Sequence, residues 1–576
     1  MKCKRHFIYP PPGHMPHLTD MRRHSFLFSC LMLNAITLHA ADVPDSAAGG
    51  TLAKRRADFQ NQELTTAQAM TRVFTPGTPP RIVWRDVDRV RELGGEGKPK
   101  VRWFDADLKE VSVPDHPGRW AAWVEDRGPE GRPVRRLMSF YARPSNFLGY
   151  LESDVHTRPL PGPIQKEVWR EHQTEIDRVV ARRMFHLNDS EEGAVLIAGL
   201  TEAKPQGRPP LPQETAQARN EDFLTAVRLK AQHLEGRVQK LRPPRRLETP
   251  APVIRTGSAA EANMKPGAKA AIDAVLDGWG KEAGVPFVTL IARRGVIISH
   301  RAEGREKDGR RAGLDFRAGV FSITKTTTGV LFSQFMDQGL LKLDDPLSVV
   351  FPDYPKDDPH VPTFRQCFTH TSGLKGHGAW GGSKNLLLDN VLLNGLDANE
   401  PGKKYEYSGM GFDLAALAMQ LVTGKGLARL YQEHLFAPLG MRDATISDAS
   451  AGAEYTAMDL AHLAQWLVNR GSYGDKQFIT PETFAKLLPE DLSTRFPALP
   501  KTLDGIGMHW INNHTAATEK KGVPRLKFLG HGSFSSSILS VDLEHQLIVV
   551  QVRREKGQGY DQWLPRLLRT VADQMR

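Results

Sequence analysis

Two pairs of strand-like runs, set at opposite ends of the same long stretch, constrain this chain more than any other feature. Phe287 to Ala292 and Val296 to His300 are joined by Arg293-Arg294-Gly295 and follow a helix-like apolar pattern from Ala271 to Trp279. Ser536 to Val541 and Gln546 to Val552 come much later and lead into a helix-like segment from Trp563 to Met575. Terminal helices packed on a sheet made from both ends of a domain imply a mixed α and β architecture with an antiparallel sheet. The residues between the two ends must then leave the sheet and return to it.

Upstream, the sequence changes character. Arg81-Ile82-Val83-Trp84, Val101-Arg102-Trp103-Phe104 and Trp120-Ala121-Ala122-Trp123-Val124 are short β-rich runs separated by Gly, Pro and Asp. They predict a small β-rich, sandwich-like accessory domain over residues 74–150. A helical connecting region over 151–250 follows. Ile164, Val168, Ile176, Val179, Val180 and Met184 fit one face of an amphipathic helix. After Pro212, the residues Leu224, Val227, Ala231, Leu234, Val238 and Leu241 are spaced alternately by three and four, a short heptad seam that reads as a helix packed on its neighbour or as a dimerising coiled coil. Pro243-Pro244 and Pro250-Ala251-Pro252 predict a break in regular structure, which places the main boundary near residue 250 and the last domain at 251–576.

The 576 residues, 40% apolar and 25% charged, have a globular balance. The net charge of +11 is spread widely, with short clusters such as Lys54-Arg55-Arg56 and Arg135-Arg136 and no long basic tract, which argues against a nucleic-acid partner. Residues 1–41 read as a leader. Met21 opens Arg22-Arg23-His24, an apolar segment from Phe26 to Leu38 and the small residues Ala40 and Ala41, the pattern of a secretory signal starting at Met21; an ordinary buried helix is the alternative. A periplasmic or secreted location follows from the signal, with no stable membrane anchor beyond it. Removal of that segment leaves Cys367 as the sole cysteine, so no internal disulfide is expected.

Ser322 and Lys325 stand three apart in Phe321-Ser322-Ile323-Thr324-Lys325, ahead of a helix-compatible run to Met336. On a helix that spacing puts both side chains on one face. A serine hydroxyl is a poor nucleophile unless a neighbour takes its proton, and a desolvated amine can do so. The positive end of a helix adds favourable potential for a developing oxyanion.

Further segments recur in a known order. Phe316 to Lys325, then Leu341-Lys342-Leu343-Asp344-Asp345-Pro346, Phe368-Thr369-His370-Thr371-Ser372-Gly373-Leu374, Pro401 to Gly409, and Gly530-His531-Gly532-Ser533-Phe534 together resemble the class C β-lactamase, D-alanyl-D-alanine carboxypeptidase and esterase family of serine hydrolases. The resemblance covers roughly residues 252–576. It implies a β-lactamase/transpeptidase-like fold, an antiparallel sheet flanked by helices plus an all-helical subdomain. It also implies that Ser322 is the nucleophile, Lys325 and Tyr407 its proton-handling partners, and His531, Ser533 and Phe534 the substrate-binding edge, with the backbone amides of Ser322 and Phe534 as the oxyanion hole. Tyr405 is a second candidate for the tyrosine. His370 lies in a segment that is mainly structural in the family.

Two positions depart from the pattern. Gly409 stands where the family has Asn or Asp, and Ser533 where it has Gly. No metal-ligand cluster, phosphate loop or cofactor motif is evident. The leading expectation is therefore a secreted serine hydrolase that forms an acyl-enzyme at Ser322 on an ester, an amide or a D-amino-acid peptide, with a small-molecule or peptidoglycan-like substrate. A true β-lactamase and a catalytically silent protein that binds cell-wall fragments are the alternatives; oligomeric state is not legible.

Overall fold

The computed structural model describes residues 71–74, 100–116, 118–127, 133–142, 216–306, 309–374, 396 and 399–576. The leader, the run Arg81 to Trp84 and the amphipathic pattern from Ile164 to Met184 lie outside the described residues.

Seven strands form the central sheet. Their spatial order is His509–Trp510, Phe528–Gly532, Ile538–Asp542, Leu547–Arg553, Phe287–Arg293, Val296–Glu303 and Arg255–Thr256. Every neighbouring pair is antiparallel except the last. The two ends of the domain meet at the centre, where Leu547↔Arg293 and Arg553↔Phe287 mark the register of Leu547–Arg553 against Phe287–Arg293. The hairpin between Phe287–Arg293 and Val296–Glu303 turns on Arg294 and Gly295, both at positive φ (54° and 78°). That is the backbone twist a two-residue hairpin loop requires.

The central strands are buried from end to end because helices cover both faces. The period-two alternation of a strand sends Val288, Leu290, Ile548, Val550 and Val552 into one core and Phe287, Ile291, Leu547 and Val549 into the other. Helices Ala268–Glu282 and Tyr560–Asp573 close the second core. In Tyr560–Asp573 the buried residues Leu564, Leu567, Leu568, Val571 and Ala572 fall on one face at helical spacing. The opposite face carries Ala457–Val468, started by a capping box in which Thr456 and Asp459 bond each other's backbone amides. Beyond it lies the helical layer with Thr324–Asp337 and Met410–Thr423, the latter buried at every position. The architecture is the β-lactamase/transpeptidase-like one, a sheet flanked by helices with a helical subdomain.

At the front of the chain, the heptad seam and the proline pairs depart from expectation. Among the described residues, strands Thr71–Phe74, Lys100–Asp105, Glu110–Val111, Gly118–Arg127 and Pro133–Ala142 form one five-stranded sheet. Phe104, Ala121, Trp123 and Leu137 on one face of it pack against Phe223, Val227 and Ala231 of a helix. That helix runs only over Ala216–Ala231: His233 takes a left-handed φ of 55°, which cuts the heptad seam before Leu234, Val238 and Leu241. Finally, the proline pairs do not end regular structure. Arg245–Ala251 forms a strand along Ser472–Gln477, an edge position where a terminal proline costs no ladder bond.

Residues 216–251 are thereby built into the body of the hydrolase domain. Asp222 accepts from the Gly426 amide at 2.8 Å and pairs with Arg429, while Glu221 accepts from the Ala428 amide at 3.0 Å, and together they cap helix Leu427–Tyr431. Ala218, Leu229, Leu234 and Leu241 belong to the main core. A fragment of residues 252–576 loses these contacts, whereas 214–576 keeps them. Thermal unfolding should show the shorter fragment at least ~5 °C less stable, the shift expected for a loss of a few kcal/mol in a domain of this size; equal midpoints would show that the segment is dispensable.

Candidate active site

Ser322 lies on the single turn Phe321–Ile323 that feeds directly into helix Thr324–Asp337. Phe321 immediately before it is held at a φ of +44°, a conformation that costs a non-glycine residue free energy. The surrounding bonds hold it there: the Val320 amide donates to the Ala453 carbonyl at 2.9 Å, and the Ala453 amide to the Thr324 hydroxyl at 3.1 Å.

One turn on, Lys325 is only 3% exposed. Its Nζ donates to the backbone carbonyl of Ser450 at 2.8 Å and lies 4.9 Å from the centre of the Tyr407 ring and 5.6 Å from that of Phe412. Burial pulls its pKa down to about 8, against the opposing pull of Asp413 and Asp448. Asp448 shapes the loop that presents Ser450, because its carboxylate accepts from the Ser450 and Ala451 amides at 3.0 and 2.7 Å.

The Tyr407 hydroxyl faces Ser322. Desolvation raises its hydroxyl above the ordinary phenol value, against the opposing pull of the neighbouring Ser322 hydroxyl. Its ring, 48% exposed, rests on His370 with centroids 4.3 Å apart. His370 accepts from the Ser408 amide at 3.1 Å and its carbonyl accepts from the Glu406 amide at 2.8 Å, so it braces the segment that carries the tyrosine. Burial lowers His370 to about 4, which keeps it neutral. Tyr405 points elsewhere, to the carboxylate of Asp504.

His531 is buried and lies 3.5 Å from the Tyr407 hydroxyl through Nε2. Desolvation first, then the neighbouring His509, holds it well below the ordinary histidine range, so the ring is neutral. Ser533 does not crowd the strand edge: its hydroxyl joins Ser535 at 2.9 Å, which in turn donates to the Gly319 carbonyl at 3.3 Å. That chain ties the end of strand Phe528–Gly532 to the approach to Ser322. Phe534 is 85% exposed and meets Phe321 edge-on at 5.7 Å, giving the site an aromatic rim.

The departure at Gly409 has a physical counterpart. A Cβ built there would lie 2.7 Å from the Ser450 hydroxyl and 2.8 Å from its Cβ, so Ser450 already fills the space of a longer side chain. The polar partner for Lys325 comes from Ser450 instead. Sequence reasoning missed Ser450, Asp413, Asp448, His509 and Asp504, none of which stands in a motif; the pair His509-Trp510 two residues past Gly507 was the sole local hint.

A family profile described as Beta-lactamase matches residues 273–562, half of the chain. The chain belongs to the β-lactamase family. Membership in this family points to serine hydrolase chemistry. Among curated relatives, the D-alanyl-D-alanine-carboxypeptidase/endopeptidase AmpH of Escherichia coli (strain K12) is 29% identical over 177 residues, 28% of this chain and 45% of the relative. Protein flp of Staphylococcus aureus (strain MW2) is 23% identical over 199 residues, 32% of this chain and 40% of the relative. The chain thus spans less than half the length of these relatives. A penicillin-binding protein homologue from Caulobacter crescentus superposes on 54% of this chain and 98% of its own, at 17% identity and a TM-score of 0.44. Among the described residues, no group of His, Cys, Asp or Glu could hold a metal ion, and no helix is long and apolar enough to cross a membrane.

The family's usual asparagine cannot simply be restored here. Gly409→Asn should lower both melting temperature and hydrolase rate through the clash with Ser450, and adding Ser450→Gly should recover stability. A stable, fully active single variant would show that the space is not filled as described.

Proposed function

We propose that this chain is a serine hydrolase that forms an acyl-enzyme at Ser322 and releases it to water, acting on esters or amides that carry no obligatory carboxylate. The observation that carries this reading is the buried Lys325, its amine pulled down to about 8, one turn on from Ser322 and 4.9 Å from the centre of the Tyr407 ring.

Near pH 7.5 about a quarter of such an amine is the free base, against roughly 0.1% of an ordinary lysine. The free base, through Tyr407, takes the proton of the Ser322 hydroxyl as the oxygen attacks the substrate carbonyl carbon. The resulting oxyanion faces the amides of Ser322 and Phe534. Its collapse breaks the bond to the leaving group, which departs with the proton. Water then attacks the acyl-enzyme by the reverse route, restoring Ser322.

The neutral His531 argues for the substrate class. A fixed cation at that position would meet a carboxylate with a charge-assisted bond worth roughly 1.5–3 kcal/mol, or about ten- to a hundred-fold in binding. A neutral ring supplies no such charge, so uncharged esters should outpace penicillins and cephalosporins. A leader beginning at Met21 supports secretion, and the amino-terminal sequence of the mature protein tests it.

Ser322→Ala should abolish turnover of p-nitrophenyl acetate and labelling by a fluorophosphonate, with the fold intact by circular dichroism. Retained turnover sinks the nucleophile assignment, and an unlabelled wild type leaves the protein as a silent binder. Because the free base is the active form, kcat/KM should rise with pH through about 8 and level off above it, and Lys325→Arg should lose ~10²- to 10⁴-fold. His531→Lys should shift the ratio of rates towards cephalosporins; efficient cephalosporin hydrolysis by the wild type would overturn the substrate argument.

A further inference from the structure

Among the described residues, folding leaves three of the Phe, Tyr and Trp rings well exposed, and all three stand around Ser322. Phe321, 37% exposed, joins Tyr407 and Phe534 there. None of the three belongs to either core of the hydrolase domain. Elsewhere such rings are put away from water, so a cluster of exposed ones on a well-packed domain marks a place that binds something. Tyr407 has a task in moving the proton of Ser322. The two phenylalanines have no polar side-chain atom, and no step of the acyl transfer calls for their rings.

The backbone beneath the two rings is tied down. The Ser535 hydroxyl donates to the Gly319 carbonyl at 3.3 Å and lies 2.9 and 3.0 Å from the hydroxyls of Ser533 and Ser537. Ser537 in turn accepts from the Arg553 amide of the central strand at 3.0 Å. The Ser536 amide donates to the Ser533 carbonyl at 2.9 Å, which closes the turn that presents Phe534. Phe321 is fixed in its positive-φ conformation by the bonds around Val320 and Ala453. The ring planes meet at 63°, the edge-to-face arrangement that aromatic pairs prefer. Two rings on a fixed base thus form a preorganised apolar surface, part of it left open to solvent.

Their place in the chain says which part of a substrate they meet. The two amides that face the oxyanion belong to Ser322, the residue after Phe321, and to Phe534 itself, so each ring stands on or next to a donor. The carbon under attack carries the Ser322 oxygen, the oxyanion, the leaving group and the acyl chain. The leaving group departs with the proton that Tyr407 passes on, so it lies on the Tyr407 side. The acyl chain is the group left to the side of the two amides and their rings. We propose that Phe321 and Phe534 form the acyl subsite of this hydrolase, and that the acyl group it accepts best is uncharged and ends in an apolar ring of about phenyl size. This deepens the reading of Ser322 as the nucleophile and rests on it.

Three p-nitrophenyl esters offered to the full chain test it: the acetate, the phenylacetate and the 4-carboxyphenylacetate, each kcat/KM divided by the spontaneous rate of that ester. The leaving group is the same in all three, so the ratios read the acyl group alone. Wild type should favour phenylacetate over acetate at least about ten-fold, the discrimination that even one methylene in an apolar site provides. It should favour phenylacetate over the carboxylate-bearing ester by a similar factor, since no cation awaits that charge. F534A and F321A should each lower the phenylacetate-to-acetate ratio about two- to ten-fold, the range of one aromatic contact. Phe534 is a surface ring, so the melting temperature of F534A should stay within about 2 °C of wild type, and that variant decides the matter even if F321A folds poorly. Ethyl phenylacetate beside its p-nitrophenyl ester separates the two sides of the site: the loss in F534A should be the same for both. A flat wild-type ratio, a ratio untouched in F534A, or a loss that follows the leaving group would overturn the acyl subsite. S322A keeps the two ideas apart. Loss of turnover and label in S322A together with flat acyl ratios in the wild type defeats the subsite alone, whereas turnover that survives S322A, or a wild type with none, defeats the nucleophile reading and the subsite with it.

Discussion

Taking the amine of Lys325 out of water costs free energy that an exposed lysine never meets, and the surrounding structure is arranged to offset only part of it. The Ser450 carbonyl accepts one hydrogen bond, Tyr407 and Phe412 offer ring faces, and Asp413 and Asp448 supply negative potential from behind. Had a carboxylate been placed in direct contact, the ammonium would have been stabilised and lost as a base. Asp413 is itself fully buried and pushed well above the ordinary carboxyl range, so its help is weakened at the source. The balance leaves the amine near 8. Helix Thr324–Asp337 can hold a lysine this way because sheet and helical layer enclose it along nearly its whole length.

The position of Gly409 shows how one requirement can be met by two different parts of a chain. What Lys325 needs is an oxygen acceptor at hydrogen-bond distance in a dry site. A side chain at position 409 would provide one through the segment that also carries Tyr407. Here the acceptor is a main-chain carbonyl from the 448–452 turn, fixed by Asp448, and the Ser450 side chain fills the volume left by the glycine. A carbonyl acceptor cannot change protonation or rotate away, so the lysine is held by a group as rigid as the turn that supplies it.

Much of this was legible before any coordinates, and what was not has an identifiable cause. The central strands read correctly because largely apolar runs such as Val288–Ala292 and Leu547–Val552, each broken by a single polar residue, have few other places to go. Ser322, Lys325, Tyr407 and His531 were singled out by resemblance, and they converge in space although residues 407 and 531 lie 124 positions apart. The seam through Leu241 failed since spacing carries no information about a left-handed turn at His233. The proline pairs misled because an edge strand tolerates what a central strand does not. His509 and Asp504 were invisible for a deeper reason: nothing in linear spacing says that residue 509 will face 531 across adjacent strands.

The charges around the serine also differ with distance from it. At the mouth stand the aromatic pair Phe321 and Phe534 and the half-exposed ring of Tyr407, none of them charged. Just behind are two histidines that burial keeps neutral, His370 and His531. The buried amine of Lys325 and the paired side chains of His509 and Asp504, 2.7 Å apart, sit further in. A ligand arriving at such a site meets shape, apolar surface and neutral hydrogen-bonding groups first, and the electrostatic work falls on the proton of Ser322 rather than on any charge the ligand brings. Binding energy from the aromatic rim then accrues alike to the bound substrate and its transition state, whereas the buried amine acts only as the hydroxyl gives up its proton. On the proposed reading selectivity and rate are set by different residues, so a change at Phe534 and a change at Lys325 should act on separable steps of the same reaction.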